Sequence, residues 1–208
     1  MEHVNRIIAE LSGDSRDIAF RRALEETARN HLACLLVHEE YETIDAWYAP
    51  DVTMVTGLDT TLDGEILKGH DEIKMHYEAL HDQAEILLVP VLAVSDRGRI
   101  TVYTETYYKW LGKVEDDAKD RNVEPPFVRI MEDDAKDDIV EPPFVGWPAV
   151  SYGDVLKSRE VVVFDLNDEM KVKRVEWRQL GMDLLGKVSL DAQARKSEEL
   201  QALIQGDI

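Results

Sequence analysis

The stretch EILLVPVLAVSDRGRITVYTETYYKWLG, from Glu85 to Gly112, holds two β-rich runs on either side of Asp96-Arg97-Gly98. Runs dense in Val, Ile, Thr and Tyr suit a pleated, half-buried surface, and a short polar turn containing Gly joins such runs as an antiparallel hairpin. Pro90 lies inside the first run. Proline has no amide hydrogen for the ladder, so a bulge, a missing bond or an edge position is expected there.

A second hairpin follows downstream. GDVLKSREVVVFDLNDEMKVKRVEWRQLG, from Gly153 to Gly181, has two runs of the same character around Asn167-Asp168-Glu169. Upstream, VTMVTGL from Val52 is a further β-branched run that stops at glycine. At least five strands are therefore expected.

The helices read by their three-and-four spacing. Val4, Ile7, Ile8 and Leu11 predict a short N-terminal helix over Glu2 to Leu11, broken by Ser-Gly-Asp-Ser. Asp14 or Ser15 can cap a longer amphipathic helix carrying Ile18, Leu24, Ala28, Leu32, Leu35 and Leu36. YETIDAWYAPDV, from Tyr41, predicts a short helix stopped by Pro50, because the residue before proline disfavours helical geometry. TTLDGEILKG, from Thr60, reads as an exposed loop, and Ile73, Tyr77 and Leu80 give the following segment a helical face. A last helix is expected from the spacing of Leu190, Ala194, Leu200 and Leu203, packing outside the domain or against a partner subunit.

Between Val114 and Val150 the pattern changes. EDDAKDRNVEPPFV from Glu115 recurs as EDDAKDDIVEPPFV from Glu132, differing only at Arg121/Asp138 and Asn122/Ile139. Two copies are too few for a solenoid and imply a tandem duplication within a loop insertion. A solvated loop, a lid over a pocket and a dimer arm are the three readings of it. The expected organisation is an N-terminal extension over 1–16, one α+β domain over 17–184 with the insertion at 114–150, and a C-terminal helix over 185–208.

Composition narrows the partners. The 24 Lys and Arg against 43 Asp and Glu leave a formal net charge of −19. Phosphate backbones and anionic lipid surfaces repel such a chain, which makes nucleic acid an improbable partner. Cys34 is the only cysteine, so there is no intrachain disulfide and no multi-cysteine zinc site. Its apolar neighbours predict a buried thiol. No apolar run reaches the roughly 18 residues of a membrane span. The charged N-terminus lacks a signal-peptide centre, and the expected location is the cytoplasm.

Strand alternation sorts the candidate chemistry. On RITVYTETYYKW, Thr101, Tyr103, Glu105 and Tyr107 lie on one face, and Ile100, Val102, Thr104, Thr106, Tyr108 and Trp110 on the other. The residues leave open which face points inward. With the first face inward, Glu105 sits between two phenols in an apolar cavity, where desolvation raises a carboxyl pKa and suits it to proton transfer. With the second inward, Glu105 is a solvent carboxylate flanked by tyrosines. His81, at a helix end, can carry a proton near neutral pH or simply answer the helix dipole. Asp59 and Asp63 lie in the polar loop, and Asp51 suits a turn cap. Trp47, Tyr48, Met54, Phe164 and Trp177 are candidate walls for an apolar ligand or ordinary core. His70 and His76 share no clear face with His81, so no metal site is expected. No phosphate-cradling loop, nucleophile elbow or dinucleotide fingerprint occurs, and no cofactor is expected.

Three segments carry a family resemblance: AWYAPDVTMVTG (Ala46 to Gly57), LKGHDEIKMHYEAL (Leu67 to Leu80) and VVVFDLNDEMKVKRVEWRQ (Val161 to Gln179). With the order long helix, short helix, strand, helix and two hairpins, the chain resembles the nuclear transport factor 2-like superfamily, in its SnoaL-like polyketide cyclase and ketosteroid isomerase-type branch. The resemblance covers roughly Asp17 to Lys113 and Ser151 to Leu180. It implies a curved antiparallel sheet wrapped around helices as a cone-shaped pocket, a homodimer, and a hydrophobic small molecule as ligand. The implied activity is that of a cofactor-independent isomerase, cyclase or dehydratase (a lyase) acting by acid-base proton transfer on a polyketide- or terpenoid-like compound of secondary metabolism. Glu105 is then the acid or base, Tyr103 or Tyr107 the oxygen-stabilising donor, and His81 or Asp59 a second proton carrier. The alternative is a non-catalytic binding or dimerisation module, since this fold hosts many unrelated functions.

Overall fold

The structure is a computed structural model and describes residues 15–57, 65–96, 98–111 and 150–205. The expected helix over Glu2 to Leu11, the repeated insertion, Asp59 and Asp63 lie outside the described residues.

The described elements are α1 (Ser15–Leu36), α2 (Glu42–Trp47), β1 (Tyr48–Gly57), β2 (Glu65–Lys68), α3 (Gly69–Gln83), β3 (Ala84–Asp96), β4 (Arg99–Trp110), β5 (Val155–Leu166), β6 (Val172–Gly186) and α4 (Leu190–Gln205). The strands form one six-stranded sheet in the order β2-β1-β6-β5-β4-β3. It is a curved, unclosed sheet, and the molecule is α+β.

Both expected hairpins are present. Asp96 pairs with Arg99, leaving a two-residue turn in which Gly98 has φ 81°, the left-handed geometry that such turns demand and glycine supplies. At the other hairpin Asn167 Oδ1 accepts the amides of Glu169 at 3.0 Å and Lys171 at 2.9 Å, fixing the turn locally. The register of β3 against β4 slips between Pro90 and Leu92. This bulge inverts the alternation of the strand. Ala84, Ile86 and Leu88 face the core before it, and Ala93 and Ser95 after it. Further slips in β1/β6 and β5/β6 add to the twist and curvature.

Two features differ from the sequence expectation. The sheet is not wholly antiparallel, because β6 lies parallel to β1 with Met54 opposite Val175 and Thr56 opposite Trp177. β6 must run antiparallel to β5, its hairpin partner, and it fills the slot beside the first strand of the chain. The second difference is Glu65–Lys68, read as loop, which forms the edge strand β2.

α1 and α3 fill the concave side. Ala28, Leu32, Leu35 and Leu36 of α1 and Ile73, Tyr77 and Leu80 of α3 are buried against Ile100, Val102, Val162, Phe164 and Val175 of the sheet. Glu25 Oε1 ties α1 to β3 by accepting the Ser95 amide at 3.0 Å and its hydroxyl at 3.1 Å. On the convex side α4 covers part of the sheet, where Leu190 packs with Val89, Tyr107 and Val155. The final helix thus seats on its own domain. Cys34 is only half-buried, short of the core position expected, and partial burial with the nearby Glu40 raises its thiol pKa. Among the described residues no helix is long and apolar enough to cross a membrane.

Gly69 opens α3 at φ 76°, and the nearest atom to the place a Cβ would occupy is the Pro50 carbonyl oxygen, 3.8 Å away. Space is not limiting there, but backbone conformation is. Gly69→Ala is expected to cost about 1–2 kcal/mol, the penalty of left-handed geometry for an L side chain. A urea titration checks it, and an unchanged midpoint would contradict the assignment.

Candidate active site

β4 and β5 run antiparallel with Thr104 opposite Glu160, Thr106 opposite Ser158 and Tyr108 opposite Leu156. Ile100, Val102, Thr104, Thr106, Tyr108 and Trp110 of β4 are buried on one face, as are Leu156, Ser158, Glu160, Val162 and Phe164 of β5. These residues share the concave face beneath α1 and α3. A carboxylate therefore stands in the middle of the core.

Glu160 is 4% exposed. Thr106 Oγ1 donates to its Oε2 at 2.7 Å, and the Tyr108 hydroxyl donates to its Oε1 at 2.9 Å. Burial raises the Glu160 pKa, because a charge is costly to hold in an apolar interior, while hydrogen bonding from Thr106, Ser158, Tyr108 and Trp177 pulls in the opposite direction. The pull of Ser158 is a matter of proximity, since its Oγ completes no hydrogen bond of ordinary geometry. Burial also raises the phenol pKa of Tyr108, with the Glu160 charge adding to it. Tyr77 and Tyr48 are shifted the same way, again chiefly by burial. All three phenols are held protonated, and Tyr108 is the one that donates to Glu160. The Glu160 carboxyl can give up a proton or take one within that shell.

Aromatic side chains pack on the same concave side. Trp177 lies across from Tyr77 with ring centroids 6.1 Å apart, and Trp47 lies 5.2 Å from Phe164. Tyr48, Met54, Phe164 and Trp177 are buried in the same core, with Trp47 packed against it. The five residues read as candidate walls or as ordinary core thus lie together in one packed cluster.

The expected proton-transfer residues are placed elsewhere. Tyr103, Glu105 and Tyr107 lie on the convex face of β4, opposite the core. Glu105 pairs with Lys157 at 2.8 Å and accepts from the Tyr107 hydroxyl at 3.2 Å. Tyr107 is buried beneath α4, where its hydroxyl lies 3.2 Å from Ser197 Oγ, and Tyr103 is exposed. The inward arrangement of this trio is therefore corrected. Parity is the reason, because placing Glu105 inside would turn Ile100, Val102 and Trp110 out to water. Glu105→Gln is accordingly expected to leave any turnover the protein has unchanged and to shift stability by no more than about 1 kcal/mol, the usual limit of a solvent-accessible ion pair. Steady-state rates and melting curves on the variant check this.

His81 also lies away from the carboxyl. Its Nδ1 is 2.9 Å from the Tyr41 hydroxyl and 2.8 Å from the Tyr77 carbonyl oxygen, and its Nε2 is 3.1 Å from the Leu36 carbonyl oxygen. The ring bridges the ends of α1 and α3, a positioning duty. Glu160 was missed in the sequence although a signal for it exists. Lys157 and Arg159 alternate with Ser158 and Glu160, so the two cations mark the wet face of β5 and put Glu160 on the dry one. Lys109 marks the wet face of β4 in the same way.

A shallow surface depression by the hairpin turns is lined by Asp96, Gly98, Arg99, Asp165, Leu166 and Lys173. Arg99 and Asp165 pair there at 2.6 Å, and the depression is remote from the core carboxyl along the strands. Among the described residues no group of His, Cys, Asp and Glu side chains is arranged to hold a metal ion.

No protein-family profile matches this chain, and no curated protein matches it. Solved structures do. A candidate polyketide cyclase from Pseudomonas putida KT2440 superposes with a TM-score of 0.50 at 12% identity, covering 74% of this chain and 88% of that one. A candidate ketosteroid isomerase from Kribbella flavida gives 0.46 at 13% identity over 77% and 80% of the two chains. An NTF2-like protein of unknown function from Burkholderia pseudomallei gives 0.46 at 15% identity over 74% and 88%. The curved sheet with its helices on the concave side is the nuclear transport factor 2-like fold that the sequence resemblance implied.

Proposed function

We propose that this protein is a cofactor-independent enzyme that moves a proton within an apolar small molecule held in the concave interior, an isomerase, cyclase or dehydratase with Glu160 as its acid or base. One observation carries the reading: a carboxyl of raised pKa, hydrogen-bonded by Thr106 and Tyr108, faces aromatic walls on the concave side of the sheet. Buried carboxyls of raised pKa that are hydrogen-bonded in this way are suited to general acid-base catalysis. Tyr108 is the oxygen-stabilising donor in this account, because the same hydroxyl that holds Glu160 can follow the developing charge. Trp47, Tyr48, Met54, Phe164 and Trp177 enclose the substrate, which is polyketide- or terpenoid-like by the apolar, aromatic character of that lining.

The test is deuterium uptake. Mono- and polycyclic ketones and enones are incubated with the protein in D2O, and exchange beside the carbonyl is followed by proton NMR. Catalysed exchange in at least one compound supports the reading, and a panel that melts the protein higher without any exchange sinks it. The latter outcome would favour a binding module. That second reading draws on both Glu160 oxygens already accepting hydroxyls of the chain.

A further inference from the structure

The interior holds more unmet hydrogen-bonding capacity than Glu160 uses. His31 Nε2, the Tyr48 hydroxyl and the Tyr77 hydroxyl are all buried and meet no hydrogen-bond partner among the described residues. A buried polar group that meets no protein partner is costly to hold, and a bound molecule that supplies one relieves that cost. Their positions are ordered along the core. Tyr77 stands against Trp177, next to the Glu160 end, and its phenol senses the Glu160 charge. His31 stands at the other end, with ring centroids 5.0 Å from Tyr48, 4.9 Å from Trp47 and 6.2 Å from Phe164. Glu160 and Phe164 both face inward on β5 four residues apart, a Cα spacing of about 13 Å at the rise of an extended strand, and the His31 ring packs on Phe164 rather than at the Glu160 level.

We propose that the interior opens to receive an elongated, uncharged molecule with a hydrogen-bonding group at each end, one met by Glu160 and Tyr108 and the other by His31 Nε2 and the Tyr48 hydroxyl. The inference rests on the reading of the concave interior as the ligand site and adds to it the shape and polarity of the ligand. A hydroxyl suits the His31 end, because it accepts from the Tyr48 phenol and also serves the imidazole nitrogen. Burial pushes the His31 pKa down to about 3, so at neutral pH its ring is uncharged and offers a charged ligand group no compensation. His31 and Tyr48 are in this account specificity-determining residues, remote from the reacting carboxyl.

Two rigid probes test it by calorimetric titration of the full chain: biphenyl with a hydroxyl at each end, and biphenyl with a hydroxyl at one end only. The two-ended probe is expected to bind roughly tenfold tighter, the worth of a buried hydrogen-bonded group that relieves unpaired partners. Tyr48→Phe, which removes one oxygen from the core, and His31→Phe should each bring that ratio toward one while the one-ended probe retains its affinity. Equal affinity of the two probes for the unaltered protein overturns the two-ended ligand and leaves the interior site standing. Failure of both probes to bind overturns the interior site as well.

Discussion

Glu160→Gln is expected to lower turnover by about two to four orders of magnitude while the protein remains folded, the usual worth of a general acid or base. Gln is close in volume, and its one carbonyl oxygen can still accept from Thr106 or Tyr108 while its NH2 donates to the other hydroxyl, but it neither gives nor takes a proton. The loss should fall on the rate constant rather than on substrate affinity, because the missing interaction belongs to the transition state. Steady-state kinetics on any substrate from the exchange panel, with circular dichroism as the folding control, measure it. Activity within a factor of a few of the unaltered protein would remove Glu160 from the mechanism.

The same substitution has a pH signature in stability. Burial raises the Glu160 pKa in the folded chain above its ordinary value of 4.5. Below that value the carboxyl is neutral in the folded and the unfolded chain alike, and its contribution is fully present. As pH rises, the unfolded chain ionises first, so stability is lost progressively until pH passes the raised folded value. The melting temperature of the unaltered protein should therefore fall relative to that of Glu160→Gln across this window and run parallel to it on either side.

Phe164→Ala is expected to cost about 3–5 kcal/mol, the range for deleting a fully buried aromatic ring when the surroundings relax only in part. Phe164 is completely buried, and its ring is packed by Trp47 at 5.2 Å and by His31 at 6.2 Å. Those neighbours come from α1 and from the end of α2, while Phe164 belongs to β5. The cavity therefore opens between helix and sheet, where neither can close it without breaking its own hydrogen bonds. Urea unfolding monitored by tryptophan fluorescence gives the value. A cost below about 1 kcal/mol would mean that the helices can collapse onto the sheet and that the interior is more plastic than its packing implies.

The fold was legible where neighbouring residues specify it. Gly98 and Asn167 announce the hairpin turns, Pro90 announces the bulge, and the spacing of Leu32, Leu35 and Leu36 announces α1. The parallel pairing of β1 with β6 was not, because more than a hundred residues separate the two strands and no turn chemistry encodes their direction. β2 was missed since Glu65, Ile66, Leu67 and Lys68 are too few to show alternation, and only the edge of β1 makes them a strand. In the candidate site the aromatic residues were read from residue type alone, and the buried carboxyl of Glu160 was passed over for Glu105, which lies on the convex face. Glu105 drew attention because tyrosines flank it in sequence, yet on a strand the immediate neighbours i±1 point away and only i±2 share its face. Tyr103 and Tyr107 do share that face, and Lys157 from the next strand makes it the wet one. Glu160 carries no aromatic neighbour in sequence at that spacing. Its partners Thr106 and Tyr108 come from β4, and cross-strand register is what brings them to it.

Carbon-13 NMR titration of the glutamate side-chain carboxyls, with the Glu160 resonance assigned by its loss in Glu160→Gln, addresses the central claim most directly. The account predicts a midpoint displaced upward from 4.5, as burial in the core requires. It also predicts that the midpoint moves again when a ligand enters the interior. A Glu160 carboxyl that titrates at or below the ordinary value, indifferent to every ligand, would contradict the placing of a proton-transfer group in the concave core.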